Sequence, residues 1–292
     1  DEKFWKLENI YYGKYSVKNY IKTSAFIIKL ISTFGFDILK NADSFIGDTL
    51  GNIPVEYKNF INSQLLITIQ STSKDMTLLA LALGLSYPFH DVFYVNGGMG
   101  SLLEDIVKNI EVHKNEAIQK IVKDGNNWLL MSNKNEYKTK QLVLNSSIYQ
   151  SASLFEDVKI KKYYDSFSFS DQSAFVVYMK IKSDEEFLQH YQFIYDELLP
   201  NTISNSFFVS FSKKDDKLLS KDGYSVTIST HTKSIFWRNL EKDEYEFQKN
   251  LTQEFIIEKF LNYFDIIKKS HIIKYFSATS NTFNRYIGRF NC

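Results

Sequence analysis

The chain has 292 residues, enough for one large domain or two ordinary ones around a substantial core. Its 35 Lys and Arg against 34 Asp and Glu leave a formal charge of +1, which excludes the basic balance of a nucleic-acid binder. The single cysteine, Cys292, excludes a disulfide scaffold and suits a reducing, cytoplasmic compartment.

In chain order, the opening segment "DEKFWKLENI" is charged and lacks the apolar stretch of a signal peptide. The chain starts at Asp1 and not at Met, which suits a fragment or a processed product. "SVKNYIKTSAFIIKLISTFGFDILKNA" (16–42) reads as a helix with Tyr20, Ile21, Ala25, Ile28, Leu30, Ile31 and Phe34 on one broad stripe. Two more helices are expected in "NFINSQLLITIQ" (59–70) and "SKDMTLLALALGLSY" (73–87), the latter with Ser73 or Asp75 as its cap. Pro54 and Pro88 mark breaks between these elements. No apolar run reaches the roughly 18 residues that span a bilayer.

From residue 91 the pattern changes. "DVFYVN" (91–96) reads as a short strand that runs through Gly97 and Gly98 into an amphipathic helix. Ser101 and Glu104 fit a capping box there, with Leu102, Leu103, Ile106, Val107 and Ile110 as the stripe to be buried. Three strands, "AIQKIVK" (117–123), "NWLLMSN" (127–133) and "QLVLNS" (141–146), are expected to form a meander, with turns at "DGNN" and "NKNEYKT". After a helical or irregular patch at 148–165 come long strands at 173–182, 206–212 and 223–231. They predict the core of a broad, mainly antiparallel sheet. The segment 243–269 has the clearest helical periodicity, with Tyr245, Phe247, Leu251, Phe255, Ile256, Leu261, Phe264 and Ile267 on its apolar face. "HIIKYFSA" (271–278) returns as a strand. The fold class is therefore α+β, a broad sheet with covering helices.

Little catalytic chemistry stands out. The five histidines, His90, His113, His190, His231 and His271, lack ligand spacing for a metal. No G-x-S-x-G elbow, Walker A motif or G-x-G-x-x-G fingerprint occurs. The glycine turn at 97–100 lacks the spacing of a phosphate cradle.

Four segments do form an ordered series: "YVNGGMGSLLEDI", "NEAIQKIVKDGNNWLLMSNKNEYKTKQLVLNSS", "GYSVTISTHTKSIFW" and "TSNTFNRYIGR". Together they resemble the FAD-dependent family of phytoene desaturases, carotenoid isomerases and retinol saturases. The family's P-x-G-G-M-x-x-L segment is matched from Gly97, with Val95-Asn96 departing from it. Its V-x-x-I strand is matched at Ile118 and Ile121, its later Trp at Trp237, and its T-P-x-T-F-x-R-Y segment at "TSNTFNRY", where Ser280 replaces Pro. The resemblance runs from about residue 40 to Arg289.

This resemblance implies that 1–90 is the helical part of a substrate domain, 91–150 the middle of an FAD-binding domain, and 151–292 the sheet-and-helix part of the substrate domain. It implies FAD as cofactor of the full-length protein, with Ile118 near the adenine end through main-chain groups. A β-branched residue there also serves as plain strand packing. The family's dinucleotide fingerprint would precede Asp1 and its flavin-closing glycine segment would follow Cys292, so the chain is expected to be an internal piece that does not hold FAD alone. The substrate implied is a hydrophobic polyene or isoprenoid, desaturated, isomerised or saturated. Substrate contacts are expected at Gly97, Gly98, Phe236, Trp237, Arg285 and Tyr286, and Phe207, Phe208 and Phe211 are further candidates for an apolar tunnel. Such substrates suggest peripheral membrane contact through "TSAFIIKLISTFGF" or "MTLLALALGLSY", although both also read as core helices. The alternatives are a cofactor-free isoprenoid- or lipid-binding module and an amine-oxidase-type flavoenzyme.

Overall fold

A computed structural model describes residues 2–7, 16–90, 92–168, 171–214 and 216–288. The chain divides into two compact units, one of residues 1–94, 192–199 and 204–208, the other of residues 95–191, 200–203 and 209–292.

The first unit is mainly helical. It contains α1 (Glu2–Trp5), α2 (Val17–Phe34), α3 (Ala42–Leu50), α4 (Val55–Thr68) and α5 (Leu78–Gly84). Side chains close the exposed N–H groups at three helix starts. Ser16 accepts from Asn19 N–H at 3.2 Å, and Asn41 accepts from Ser44 N–H at 3.1 Å. Thr77, and not Ser73 or Asp75, caps α5 by accepting from Ala80 N–H. Ser73–Asp75 instead forms a single 3₁₀ turn. There the Ser73 hydroxyl donates to Asp43 at 2.8 Å, beside the Lys58–Asp43 ion pair, also 2.8 Å. The hydrogen bond from Lys58 holds the Asp43 carboxyl below its usual range, with partial burial opposing it. Ala42, Ile61, Leu65 and Met76 form this unit's core. The stripe expected on α2 is not buried as a whole: Leu30 is, while Tyr20, Ile21 and Ile28 are exposed.

The second unit opens with α6 (Gly98–Val107), then the meander β1 (Ile118–Asp124), β2 (Asn127–Ser132) and β3 (Glu136–Thr139). The short helices α7 (Ile148–Ser151) and α8 (Val158–Asp165) follow. A five-stranded sheet uses β4 (Gln172–Ile181), β5 (His190–Ile194), β6 (Ser206–Phe211), β7 (Tyr224–Lys233) and β8 (Ile272–Ala278) in the order β5-β6-β7-β4-β8. The boundary between the units falls within β5 and β6. The ladders of β4 with β7 and with β8 are antiparallel. The helices α9 (Ser234–Arg238), α10 (Lys242–Tyr263) and α11 (Ser280–Ile287) complete the α+β fold.

The sheet's core face explains its order. Phe175, Val177, Met179 and Ile181 of β4 are buried, and their register partners Thr230, Ile228, Val226 and Tyr224 on β7 are buried opposite them. Each such apolar side chain contributes about 1.5–3 kcal/mol by leaving water. From α10, Phe260 lies 6.0 Å from Phe211 on β6, and Phe264, just beyond the helix end, lies 5.4 Å from the same ring. The buried face of α10 is Thr252, Gln253, Ile256, Ile257 and Phe260, whereas Phe247 and Leu251, expected on it, are exposed.

Three local expectations differ from the structure. Residues 92–96 and 141–146 form no strand, because no neighbouring strand pairs with them. The third meander strand is instead Glu136–Thr139, read from sequence as a turn, where Leu130 pairs with Tyr137 and Trp128 with Thr139. Finally, α6 starts at Gly98 and not at Ser101, and its stripe of Leu102, Leu103, Ile106 and Val107 is exposed, as is Ile110 beyond its end.

Candidate functional site

The other face of the sheet has a different chemistry. On β7, Ser225, Thr227, Ser229 and His231 alternate with the buried residues and are half-buried. On β4 the alternate positions include Tyr178 and Lys180. Register places Phe276 of β8 beside Tyr178 and Lys274 beside Lys180. The Tyr178 and Phe276 rings stack at 5.0 Å with an interplanar angle of 26°, and burial pushes the Tyr178 hydroxyl pKa up.

A cavity of about 850 Å³ opens at the β8 edge of this sheet. Its strand wall is Tyr178, Lys274, Phe276 and Ser277. Tyr245, Glu246 and Lys249 of α10 form a second wall, and Asn281, Phe283, Arg285 and Tyr286 of α11 a third. The start of α11 is fixed by a capping box in which Thr279 N–H donates to Thr282 Oγ1 at 3.2 Å. The Thr279 and Tyr245 hydroxyls are 2.8 Å apart, which ties α10 to the same point. Asn281 Nδ2 donates to the Trp237 carbonyl at 2.9 Å. Of the residues expected to contact substrate, this arrangement brings Arg285 and Tyr286 into one cavity, with the guanidinium carbon 5.6 Å from the tyrosine ring centroid.

Trp237 supports that cavity from below and does not line it. Its side chain is fully buried, its indole N–H donates to Thr232 Oγ1 at 2.9 Å, and its ring meets Phe175, Phe236 and Tyr245 at 5.4, 5.0 and 6.1 Å. Phe236 is half-buried beside it. Phe207 and Phe211 are core residues, and Phe208 is half-buried.

Gly97 and Gly98 lie elsewhere, at the start of α6. Both have left-handed backbones, with φ of 78° and 74°, which a side chain strongly disfavours. A Cβ at Gly97 would sit 2.3 Å from Ser101 Oγ. The turn holds an anion from within the chain: buried Asp216 accepts from Gly97 N–H at 2.7 Å, and its second oxygen accepts from Leu218 and Leu219 N–H. A carboxylate thus fills the position where a helix N-terminus would otherwise receive a phosphate.

Ile118 is half-buried at the outer edge of the meander, paired with Ser132, and a bulge between Ile118 and Lys120 leaves Gln119 outside the ladder. Further along the same strand, the outer edge makes one isolated parallel bridge, Ile121 to Phe155. Beside it lies a second cavity, of about 590 Å³, walled by Trp128, Val143, Phe155, Ile160, Tyr163 and Tyr164. Phe155 and Tyr164 stack there at 5.7 Å.

No protein-family model and no curated protein sequence matches the chain. Solved structures share its fold. The PF1083 protein from Pyrococcus furiosus aligns with a TM-score of 0.57 at 16% identity, over 92% of this chain and 66% of that one. A protein provisionally named protoporphyrinogen oxidase, from Exiguobacterium sp. 255-15, aligns with a TM-score of 0.51 at 11% identity, over 88% of this chain and 59% of that one. Cyclohexylamine oxidase from Brevibacterium oxydans IH-35A aligns with a TM-score of 0.50 at 11% identity, over 92% and 62%. The chain has the fold of these structures over most of its length. It spans about three fifths to two thirds of the length of these structures.

Among the described residues, no group of three or more His, Cys, Asp or Glu side chains is placed to hold a metal ion, and no helix is long and apolar enough to cross a membrane. Sequence reasoning missed Tyr178, Lys249 and Lys274. Only the register of β4 with β8 and the packing of α10 bring them beside Arg285.

Proposed function

We propose that this chain is the substrate-binding part, with a portion of the cofactor-binding part, of an FAD-dependent oxidoreductase acting on an apolar polyene or isoprenoid. The observation that carries this reading is the fold, shared over 88–92% of the chain with proteins that include two named as oxidases. The aromatic wall of the β8 cavity supports an apolar substrate, because stacked rings bind extended planar carbon chains at little entropic cost.

The chain's fit to FAD is partial. The bulged edge at Ile118 offers main-chain groups outside the regular ladder, which suits the adenine end. The glycine turn at Gly97 does not suit the pyrophosphate, since Asp216 already accepts from the Gly97 N–H and would repel a second anion. The pyrophosphate grip therefore belongs to a part of the protein beyond the described residues. When bound, the flavin supplies hydride acceptance. The residues of this chain orient the substrate and exclude water from it, and no described side chain is assigned as an acid or base.

The exposed apolar residues of α6 support the same reading. Leu103 and Ile106 are 56% and 57% exposed, and Val143 in the unpaired segment 141–146 is 89% exposed. An amphipathic helix whose apolar stripe stays exposed marks a surface that another part covers. The nucleotide-binding remainder of the enzyme is the occupant proposed.

Anaerobic mixing of the full-length protein with candidate substrates tests the assignment. Bleaching of the visible flavin band by a polyene and not by a primary amine is the expected result. Bleaching by amines alone would overturn the polyene reading.

A further inference from the structure

The cavity at the β8 edge carries charge that the fold leaves uncompensated. Lys180 and Lys274 are direct register partners across the β4–β8 ladder. Like charges directly opposite in an antiparallel pair destabilise it. Arg285 reaches the same cavity from α11, and Lys249, 5.6 Å from the Tyr245 ring centroid, reaches it from α10. Among the described residues, none of these four cations has a carboxylate within ion-pair distance. One acid, Glu246, also lines the cavity, so the lining of Lys249, Lys274, Arg285 and Glu246 keeps a positive balance.

A second observation is independent of charge. The Tyr178–Phe276 stack lies on the same face of the β4–β8 ladder as Lys180 and Lys274, so an apolar wall and cations meet in one cavity.

We infer that this cavity selects an amphiphile: an apolar chain ending in a single oxyanion, a carboxylate or a phosphate monoester. The chain lies along Tyr178 and Phe276. The headgroup sits between Lys274 and Arg285, where it screens the Lys180–Lys274 repulsion. A neutral alcohol of the same length satisfies the wall and leaves the cations as they were. The inference deepens the function proposed above, and rests on it only in taking this cavity as the substrate's.

Calorimetric titration of the full chain with oleate, oleyl phosphate and oleyl alcohol, each below its aggregation concentration, tests it. One or both anions should bind more tightly than the alcohol, and the tighter of the two identifies the headgroup. Lys274→Met and Arg285→Met should each weaken anion binding about tenfold, the loss of one charge-assisted hydrogen bond. Both should leave alcohol binding unchanged, and Lys18→Met, on α2, should change neither. Lys274→Met should also raise the melting temperature of the ligand-free protein, because it removes the like-charge pair. Equal affinity for alcohol and anions, anion binding indifferent to both substitutions, or no binding at all would overturn the inference. The flavin is not needed for this titration. A colourless protein that binds oleate through Lys274 would sink the flavoenzyme reading alone, and a flavin-bearing protein that ignores headgroup charge would sink this one alone.

Discussion

Asp216 and Gly97 form the most constrained local arrangement next to α6. One buried carboxylate accepts from three main-chain N–H groups, those of Gly97, Leu218 and Leu219. Leu219 N–H also donates to the Asp216 carbonyl, so removing the carboxylate leaves two donors, Gly97 and Leu218, without their acceptor, at about 1–3 kcal/mol for each donor that stays dry. Asp216→Ala should therefore lower the midpoint of thermal unfolding by several degrees. Gly97→Ala meets both a left-handed φ of 78° and a Cβ placed 2.3 Å from Ser101 Oγ. Its cost should be about 1–3 kcal/mol, read in urea unfolding as a lower midpoint with an unchanged slope. A Gly97→Ala protein as stable as the parent would mean that the turn is not strained. The turn was legible from its glycines. Its anion was not, because 119 positions separate Gly97 from Asp216.

At the scale of elements, α6 provides a test that separates a surface from an interface. Leu103 is 56% exposed, and an exposed Leu→Asp change normally shifts stability by no more than about 0.5 kcal/mol. If the nucleotide-binding remainder covers α6, Leu103→Asp in the full-length protein should cost at least about 2 kcal/mol. It should also loosen retention of the cofactor, measured as flavin released on gel filtration. An effect no larger than that of a surface change would deny that cover. The same logic explains which elements could be read from sequence. β7 could, because Tyr224, Val226 and Ile228 alternate with Ser225, Thr227 and Ser229, and burial follows that alternation. "QLVLNS" has the composition of a strand, yet a strand exists only with a partner, and the described chain supplies none. Glu136–Thr139 forms one despite a single apolar residue, Tyr137, because β2 pairs with it. The helix α11 begins at a Thr279–Thr282 capping box, with no Glu or Gln at the third position to mark it in the sequence. Arg285 and Tyr286 could be singled out only through the family resemblance, and Lys274 not at all, since its significance depends on Lys180 across the ladder.

On the scale of the whole molecule, the chain holds a two-faced sheet, buried and mainly apolar on one side and carrying mixed polar and aromatic side chains on the other. At the sheet's β8 edge lies a cavity that combines aromatic walls with cations. It spans about three fifths to two thirds of the structures that share its fold, and it leaves apolar surface on α6 and at Val143 uncovered. The central claim is that the complete protein is a flavoenzyme whose nucleotide grip lies outside these residues. The most direct measurement is the visible absorbance spectrum of the purified full-length protein, with released cofactor counted after denaturation. The account predicts one FAD per protein chain, lost when the chain is expressed as residues 1–292 alone. A colourless full-length protein that takes up no added FAD would contradict it.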